Sequence, residues 1–414
     1  MFENYFESKE RVHKLCNSSG GSLLEGFSCD LWQAGYAEIT GRRHIRAAEH
    51  LIYWANQNGI RVDEFQEQVL CRFDKHLTQC QCSGYGHYDR MNLVSGARLF
   101  MGYLHGAGII DAFGAEQTVQ NPVLLTSFCE WMRLRRGTKD STLCTYSISI
   151  RDLLKYIGDE PSRLDAKCLR QFVLDTSSKQ GLAATKNCTT ALRMFLRFLI
   201  ADGKCAANLA DAVPVVAQWK LSSLPRYLQS EDVERVIDSC DLGSPIGRRD
   251  RAILLLLARL GLRAGDIVQI QMGDIDWKGA WLSVTGKSRR QTKFPLTQEI
   301  GQAIINYLQD GRPPTDSTAL FIGSRAPLHA FASHCAISVI VAKAMRRADV
   351  HCPSGGAAHV LRHSVATSML RNGTSLQDIA VILGHRSITT TQIYAKVDRP
   401  TLQQIAQPWP EVQS

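Results

Sequence analysis

The chain has no apolar run near the ~18 residues that a membrane-spanning helix needs. Its longest, from Ala252 to Ala258, is short and is bracketed by Arg251 and Arg259. No transmembrane segment is therefore expected. The opening residues, MFENYFESKERVHK, are charged and lack the apolar centre of a secretory signal, so the expected location is the cytoplasm. Low-complexity tracts and long blocks of one charge are also missing, which excludes a largely disordered chain or a charged tail as the main feature. The 13 cysteines are odd in number and scattered. In a cytosolic protein they read as small buried hydrophobes, not as a disulfide framework. There is no Walker loop, no nucleotide fingerprint and no common metal motif, so the expectation is no cofactor.

What is present is globular. At 414 residues the chain exceeds one ordinary core, and two or three domains are expected. It is 44% hydrophobic and 21% charged, with a formal net charge of +9 and a pI of about 8.9. This basic balance fits a polyanionic partner without proving one.

Read in order, residues 1–30 show no clear periodicity and are expected to form a loose arm. Helical spacing begins near Ala37. RRHIRAAEHLIYWANQNGI (42–60) ends at a plausible Asn58-Gly59 cap, VDEFQEQVLCRFDKHL (62–77) is again amphipathic, and 91–110 is a third helix. The plan recurs in 141–158, 162–175 and 184–203. Leu51 and Trp54 match Leu153 and Tyr156, Leu70 and Phe73 match Leu169 and Phe172, and Phe100, Tyr103 and Leu104 match Phe195, Phe198 and Leu199. The offset drifts from about 102 to about 95 residues, which suggests an internal repeat. Between the second and third helices of the first copy, His76, Cys80, Cys82 and His87 are zinc-ligand types. Their spacing departs from the common knuckles, so an ordinary loop with incidental thiols is the expectation and a metal set the alternative.

KLSSLPRYLQ (220–229) is the clearest boundary. The expected domains are an N-terminal helical extension (1–118), a helical unit (119–215), a linker (216–229), a larger domain (230–400) and a tail (401–414) with one short helix at 401–406. Within the larger domain, 248–270 reads as a buried helix, a glycine turn and a second helix. Trp281–Thr285 and Thr292–Leu296 read as short strands joined by the basic turn GKSRRQ, and further helices lie near 298–309 and 332–348. The fold class is mainly α and multidomain, with a small antiparallel β-sheet.

The chemistry gathers near the C-terminal end. HVLRHSVATSML (359–370) puts His359, Arg362 and His363 on one helix face, and Tyr394 follows His385 by nine residues. An arginine fork grips phosphate oxygens, histidines carry protons and a phenol can attack. With Gly261-Leu262-Arg263 followed by Asp266, Lys287 in TGKSRRQTKFPL, His359-Val-Leu-Arg362-His363, and Leu383-Gly384-His385 followed by Tyr394, the chain resembles the tyrosine recombinase (phage-integrase) family, which includes Xer-type resolvases and transposon integrases. Asp266 stands where glutamate is common in that family, and Lys293 lies near enough to compete for the role of hairpin lysine.

The resemblance implies DNA cleavage and rejoining through a 3′-phosphotyrosyl intermediate, with no ATP required. It implies catalytic roles for Arg263, Lys287, His359, Arg362, His385 and the nucleophile Tyr394, with Asp266 and His363 supporting them. Helical DNA-binding units are expected to contact phosphates through residues such as Arg133, Arg135, Arg136, Lys139, Arg151 and Lys186, and the basic strand-joining turn through Arg289 and Arg290. The implied partners are double-stranded target sites, further copies of the chain (four on two sites) and partner recombinases of the same mobile element, in a bacterial, nucleoid-associated setting. A type IB-like topoisomerase or resolvase, and an inactive DNA-binding accessory protein, stand as alternatives.

Overall fold

The computed structural model describes residues 2–85, 89–111, 122–158, 160–217, 224–286, 291–352, 356–385, 387–397 and 402–403. The chain divides into two compact units, one formed by Met1–Asp111 with Leu221–Ser414 and the other by Ala112–Lys220. Helices predominate, as expected.

The first unit opens with α1 (Lys9–Cys16), α2 (Gly21–Gln33), α3 (Glu38–Gln57), α4 (Glu67–Leu77) and α5 (Arg90–Gly106). The expectation of a loose arm over residues 1–30 is corrected here. Phe2, Tyr5, Phe6 and Leu15 are buried, and so are Leu24, Phe27 and Leu31, spaced i, i+3, i+7 along α2. The Tyr5 ring lies against Gly41 of α3, where a β-carbon would come within 2.1 Å of it. The predicted helix over 62–77 is interrupted. A 3-10 turn, Val62–Glu64, precedes α4, and the intervening Phe65 is buried.

The second unit holds α6 (Val123–Arg136), α7 (Asp140–Ile157), α8 (Ala166–Lys179) and α9 (Leu182–Ala201). Helices α7, α8 and α9 fall within a few residues of the expected ranges, α8 starting later because Pro161–Arg163 forms a 3-10 turn, whereas no range was expected for α6. Its core repeats the aromatic arrangement of the first unit. In α2, Phe27 meets Phe100 edge-on at 5.2 Å and Tyr103 at 5.6 Å. In α6, Phe128 meets Phe195 edge-on at 5.4 Å and Phe198 at 5.9 Å. The buried faces match too: Leu24, Phe27 and Leu31 against Leu125, Phe128 and Met132. These matched positions lie on α2 and α6, upstream of the helices paired in the sequence. One connection differs. Only Gln180 and Gly181 separate α8 from α9, whereas residues 78–89 separate α4 from α5.

The remainder of the first unit comprises α10 (Ser230–Asp238), α11 (Pro245–Leu260), α12 (Ala264–Gln269), β1 (Ile275–Asp276), β2 (Trp281–Thr285), β3 (Gln291–Pro295), α13 (Gln298–Asp310), α14 (His334–Arg347), α15 (Ala357–Arg371), α16 (Leu376–Ile382) and α17 (Ile388–Thr391). The strands pair antiparallel in the order β1-β2-β3, with Ser283 opposite Lys293. Helix α11 is the centre of this core. Ser244 caps it by accepting from the Gly247 N–H, Pro245 occupies its first turn, and Ala252 through Leu257 are all fully buried. It stops at Gly261 in the left-handed conformation (φ 60°), which delivers Arg263 to the N-terminus of α12. The N-terminal helices touch this part where the Leu328 N–H donates to the Ala34 carbonyl. The expected tail helix at 401–406 lies largely outside the described residues.

Candidate active site

Three segments distant in sequence converge at the C-terminal ends of α11 and α16. Arg362, on the buried face of α15, donates from Nη1 to the Gly261 carbonyl and from Nη2 to the Leu383 carbonyl. Arg263 donates from Nη2 to the Gly384 carbonyl at 2.9 Å. Both carbonyl clusters sit where a helix ends in a left-handed glycine, Gly261 or Gly384. Helix C-termini leave carbonyls unpaired, and here the two arginines satisfy them. The guanidiniums are thereby fixed in place before any ligand arrives.

Asp266, one turn after Arg263, is buried and lies 3.7 Å from Arg263 Nη1. Burial pushes its carboxyl above the usual range, opposed by Arg263 and Arg362. Arg362 is 6% exposed. Burial, then the like charge of Arg263, lowers its pKa to about 10, still charged at neutral pH.

Tyr394 follows α17 in a 3-10 turn, Gln392–Val397, and is 1% exposed. Its hydroxyl lies 2.8 Å from Nδ1 of His363. Burial raises the phenol to about 12, with Arg362 pulling the other way. His363 is lowered to about 4 by burial and then by His359 and Arg362, so its ring is neutral. His385 is also lowered to about 4, by burial and then by Arg362 and Arg263. Its Nδ1 lies 2.8 Å from Oγ1 of the fully buried Thr391. His359 stands exposed on the first turn of α15, its ring 6.4 Å from that of His363.

A cleft of about 470 Å³ opens beside these groups, lined among others by Arg263, Asp266, Lys293, Arg362 and His385. Lys293 is exposed on β3 and faces it. Lys287, Arg289 and Arg290 lie outside the described residues. The structure brings together Arg263, Asp266, Arg362, His363, His385 and Tyr394. By sequence His363 takes only a supporting place, and in the structure it is the direct partner of the phenol. Its place four residues after His359 was the available signal. Thr391, within a run of three threonines, carried no signal that could single it out.

The remaining residues expected to contact DNA phosphates fall elsewhere, in the second unit. Arg133 is exposed at the end of α6 and pairs with Asp140 at 2.9 Å. Arg135 is exposed, and Arg136 donates to the Met194 sulfur at 3.4 Å. Lys139 precedes α7, Arg151 lies within α7 and Lys186 is exposed on α9.

The phage integrase family matches residues 226–400. The chain is 33% identical over 388 residues to the putative integrase/recombinase y4rA of Sinorhizobium fredii (strain NBRC 101917 / NGR234), covering 91% of each. It is 26% identical over 288 residues to the tyrosine recombinase XerD of Lacticaseibacillus casei, covering 67% of this chain and 95% of that one. Among solved structures it shares its fold with XerH recombinase bound to a palindromic difH substrate (TM-score 0.55, 19% identity, 81% of this chain and 93% of that chain). A lambda integrase(75-356) dimer bound to a COC′ core site is a second (TM-score 0.51, 18% identity, 70% and 98%). The chain belongs to the phage integrase family. It is a tyrosine recombinase, an enzyme of site-specific DNA recombination.

Proposed function

We propose that Tyr394 attacks a scissile phosphodiester held by Arg263 and Arg362. The phenolic oxygen bonds to phosphorus, the bond from phosphorus to the 5′-oxygen breaks, and a 3′-phosphotyrosine and a free 5′-hydroxyl result. The observation that carries this reading is the pair of pre-fixed guanidiniums beside a cleft, with a histidine-bonded phenol supplied from the next segment. Negative charge builds on the non-bridging oxygens in the transition state, and donors already held in place stabilise it with little reorganisation.

The phenol's proton passes to a neutral imidazole. His363 touches it directly, and a bound phosphodiester anion would raise the basicity of His363 and His385 alike. The departing 5′-oxygen takes a proton from Lys287, with Lys293 as the other lysine beside the cleft. His359 and His385 complete the hold on the phosphate, and Asp266 orients Arg263. No cofactor is called for, because the phosphotyrosyl bond retains the energy of the bond it replaces.

The substrate is double-stranded DNA at specific sites, and the working unit is several copies of the chain, four on two sites. The net charge of +9 supports DNA as the partner. So does the likeness in fold to XerH on its difH substrate and to a lambda integrase dimer on its core site. The biological outcome is integration, excision or transposition of a mobile element, in the bacterial cytoplasm at the nucleoid, with sister recombinases as further partners. The segment 1–118 acts as a second helical DNA-gripping or assembly unit beside the core-binding unit 119–215, and the matched aromatic cores of the two support that reading. The segment 216–229 is the linker to the catalytic domain 230–400, and the tail 401–414 docks on a neighbouring copy.

The test uses nicked suicide duplexes made from the DNA on either side of this gene. The wild-type chain should yield a covalent adduct whose released strand carries a 5′-hydroxyl that accepts phosphate from polynucleotide kinase. Tyr394→Phe should yield none. A wild-type chain that forms no adduct on any such duplex, or an adduct that persists in Tyr394→Phe, overturns the assignment. Two marked sites on one circle then separate strand exchange from simple relaxation.

A further inference from the structure

Away from the recombination site, the N-terminal helices gather four metal-ligand side chains. His50 comes from α3, His76 from the last turn of α4, and Cys80 and Cys82 from the connection after it. The ligand atoms of all four lie within 4.8 Å of one another. We infer that His50, His76, Cys80 and Cys82 form a structural zinc site that fastens the α4–α5 connection to α3. Among the four candidates along the sequence, His87 lies outside the described residues. His50, thirty residues before Cys80, takes the fourth position.

Geometry supports zinc. Bonds of about 2.3 Å to sulfur and 2.0–2.1 Å to nitrogen at tetrahedral angles put nitrogen about 3.5 Å from sulfur. The two nitrogen–sulfur pairs here stand at 3.5 Å (His50 Nε2 to Cys80) and 3.4 Å (His76 Nε2 to Cys82). Two imidazoles and two thiolates form a closed Cys₂His₂ set of the kind that zinc occupies structurally, with no open position for substrate. Binding releases the two thiol protons as two Zn–S bonds form, and no oxidant or reductant takes part.

The rings are held for the task. His50 is 2% exposed, and Tyr85 stacks on it at 4.4 Å and 8°. Trp54 stacks on His76 at 5.7 Å and 30°. Each imidazole thus aims its Nε2 at a thiol and is backed by an aromatic ring.

The matched helices of the second unit show why a fastening is needed here. In the second unit α8 reaches α9 through Gln180 and Gly181 alone, whereas in the first unit residues 78–89 intervene. A connection of that length costs more to close and has little apolar surface to bury. Zinc supplies what the two-residue turn supplies in the other copy.

The inference is independent of the recombination chemistry and is tested without it. The untagged full chain, expressed with zinc in the medium and purified without chelator, should carry one zinc per chain by mass spectrometry of the metal. Cys82→Ser should reduce this at least fivefold, while Cys71→Ser, at an exposed cysteine on α4, should leave it at one. Cobalt(II) in place of zinc should give thiolate-to-metal charge-transfer bands and intense tetrahedral visible bands. Stripping the wild type should lower its melting temperature, and one equivalent of zinc should restore it, a readout that stands if Cys82→Ser fails to fold. A wild-type chain that takes up no metal under reducing conditions, a Cys82→Ser chain that keeps a full equivalent, or a melting temperature indifferent to zinc overturns the site.

Discussion

Arg362 satisfies two helix-end carbonyls while facing the cleft, so its replacement has two separable effects. Arg362→Lys keeps a charge but loses the planar fork. Adduct formation should fall on the order of a hundredfold or more, and the fold should lose about 1–3 kcal/mol through the buried carbonyls left unpaired, measured by urea unfolding. His363 makes a pH prediction. Its folded pKa, about 4, lies below the unfolded value of about 6.5. The unfolded chain therefore binds the proton more tightly, so the stabilisation is complete above pH ~6.5 and is lost as pH falls from there toward 4. Unfolding midpoints measured across that window should drop for the wild type, with His363 accounting for on the order of 3 kcal/mol, and drop less for His363→Phe. Equal slopes for the two proteins would remove His363 as the cause. The helical spacing of His359, Arg362 and His363 was legible in the sequence because side-chain direction follows from the helix period. The anchors of Arg362 were not, because main-chain carbonyls look alike in any sequence.

The elements show where periodicity informs and where it fails. Helices such as α3, α9 and α11, each with many buried apolar positions, were legible almost to their ends. The first thirty residues were not. Helix α1 buries only Leu15, too little for a visible period, and α2 begins and runs through glycines. The order there comes from aromatic residues packing on α3, a tertiary effect. The turn after α11 was legible from Gly261, and its conformation has a cost if altered. Gly261→Ala would put a β-carbon 2.8 Å from Leu383 Cδ2 on a backbone at φ 60°. A loss of about 1–3 kcal/mol is expected, with a larger proportional loss of adduct, because Arg263 and the Gly261 carbonyl both move. Wild-type stability by denaturant titration would show that the turn tolerates a side chain.

At the scale of the whole molecule, each compact unit has its own core. That of Ala112–Lys220 is built from α6 to α9 around Leu153, Phe128 and Phe195. Leu153→Ala should cost about 2–5 kcal/mol and lower only one of two calorimetric transitions, whereas a single transition shifted as a whole would mean that the units unfold together. The second unit ends at Lys220, within the stretch 216–229 expected as a linker from its polar character and Pro225. The joining of the N-terminal helices to the C-terminal part in one unit was not legible in the sequence, because it rests on loop contacts such as Leu328 to Ala34, which leave no periodic trace.

The bonds that fix the two arginines span 101 and 121 residues of chain, from Arg362 to Gly261 and from Arg263 to Gly384. Contacts this remote are made late, both in refolding and on the ribosome, where the chain emerges N-terminus first. Until α16 and its final carbonyls exist, Arg263 has only Asp266 to hold it, and Tyr394 comes later still. A nascent or truncated chain can thus acquire its helical units while it still lacks the parts on which the proposed cleavage depends.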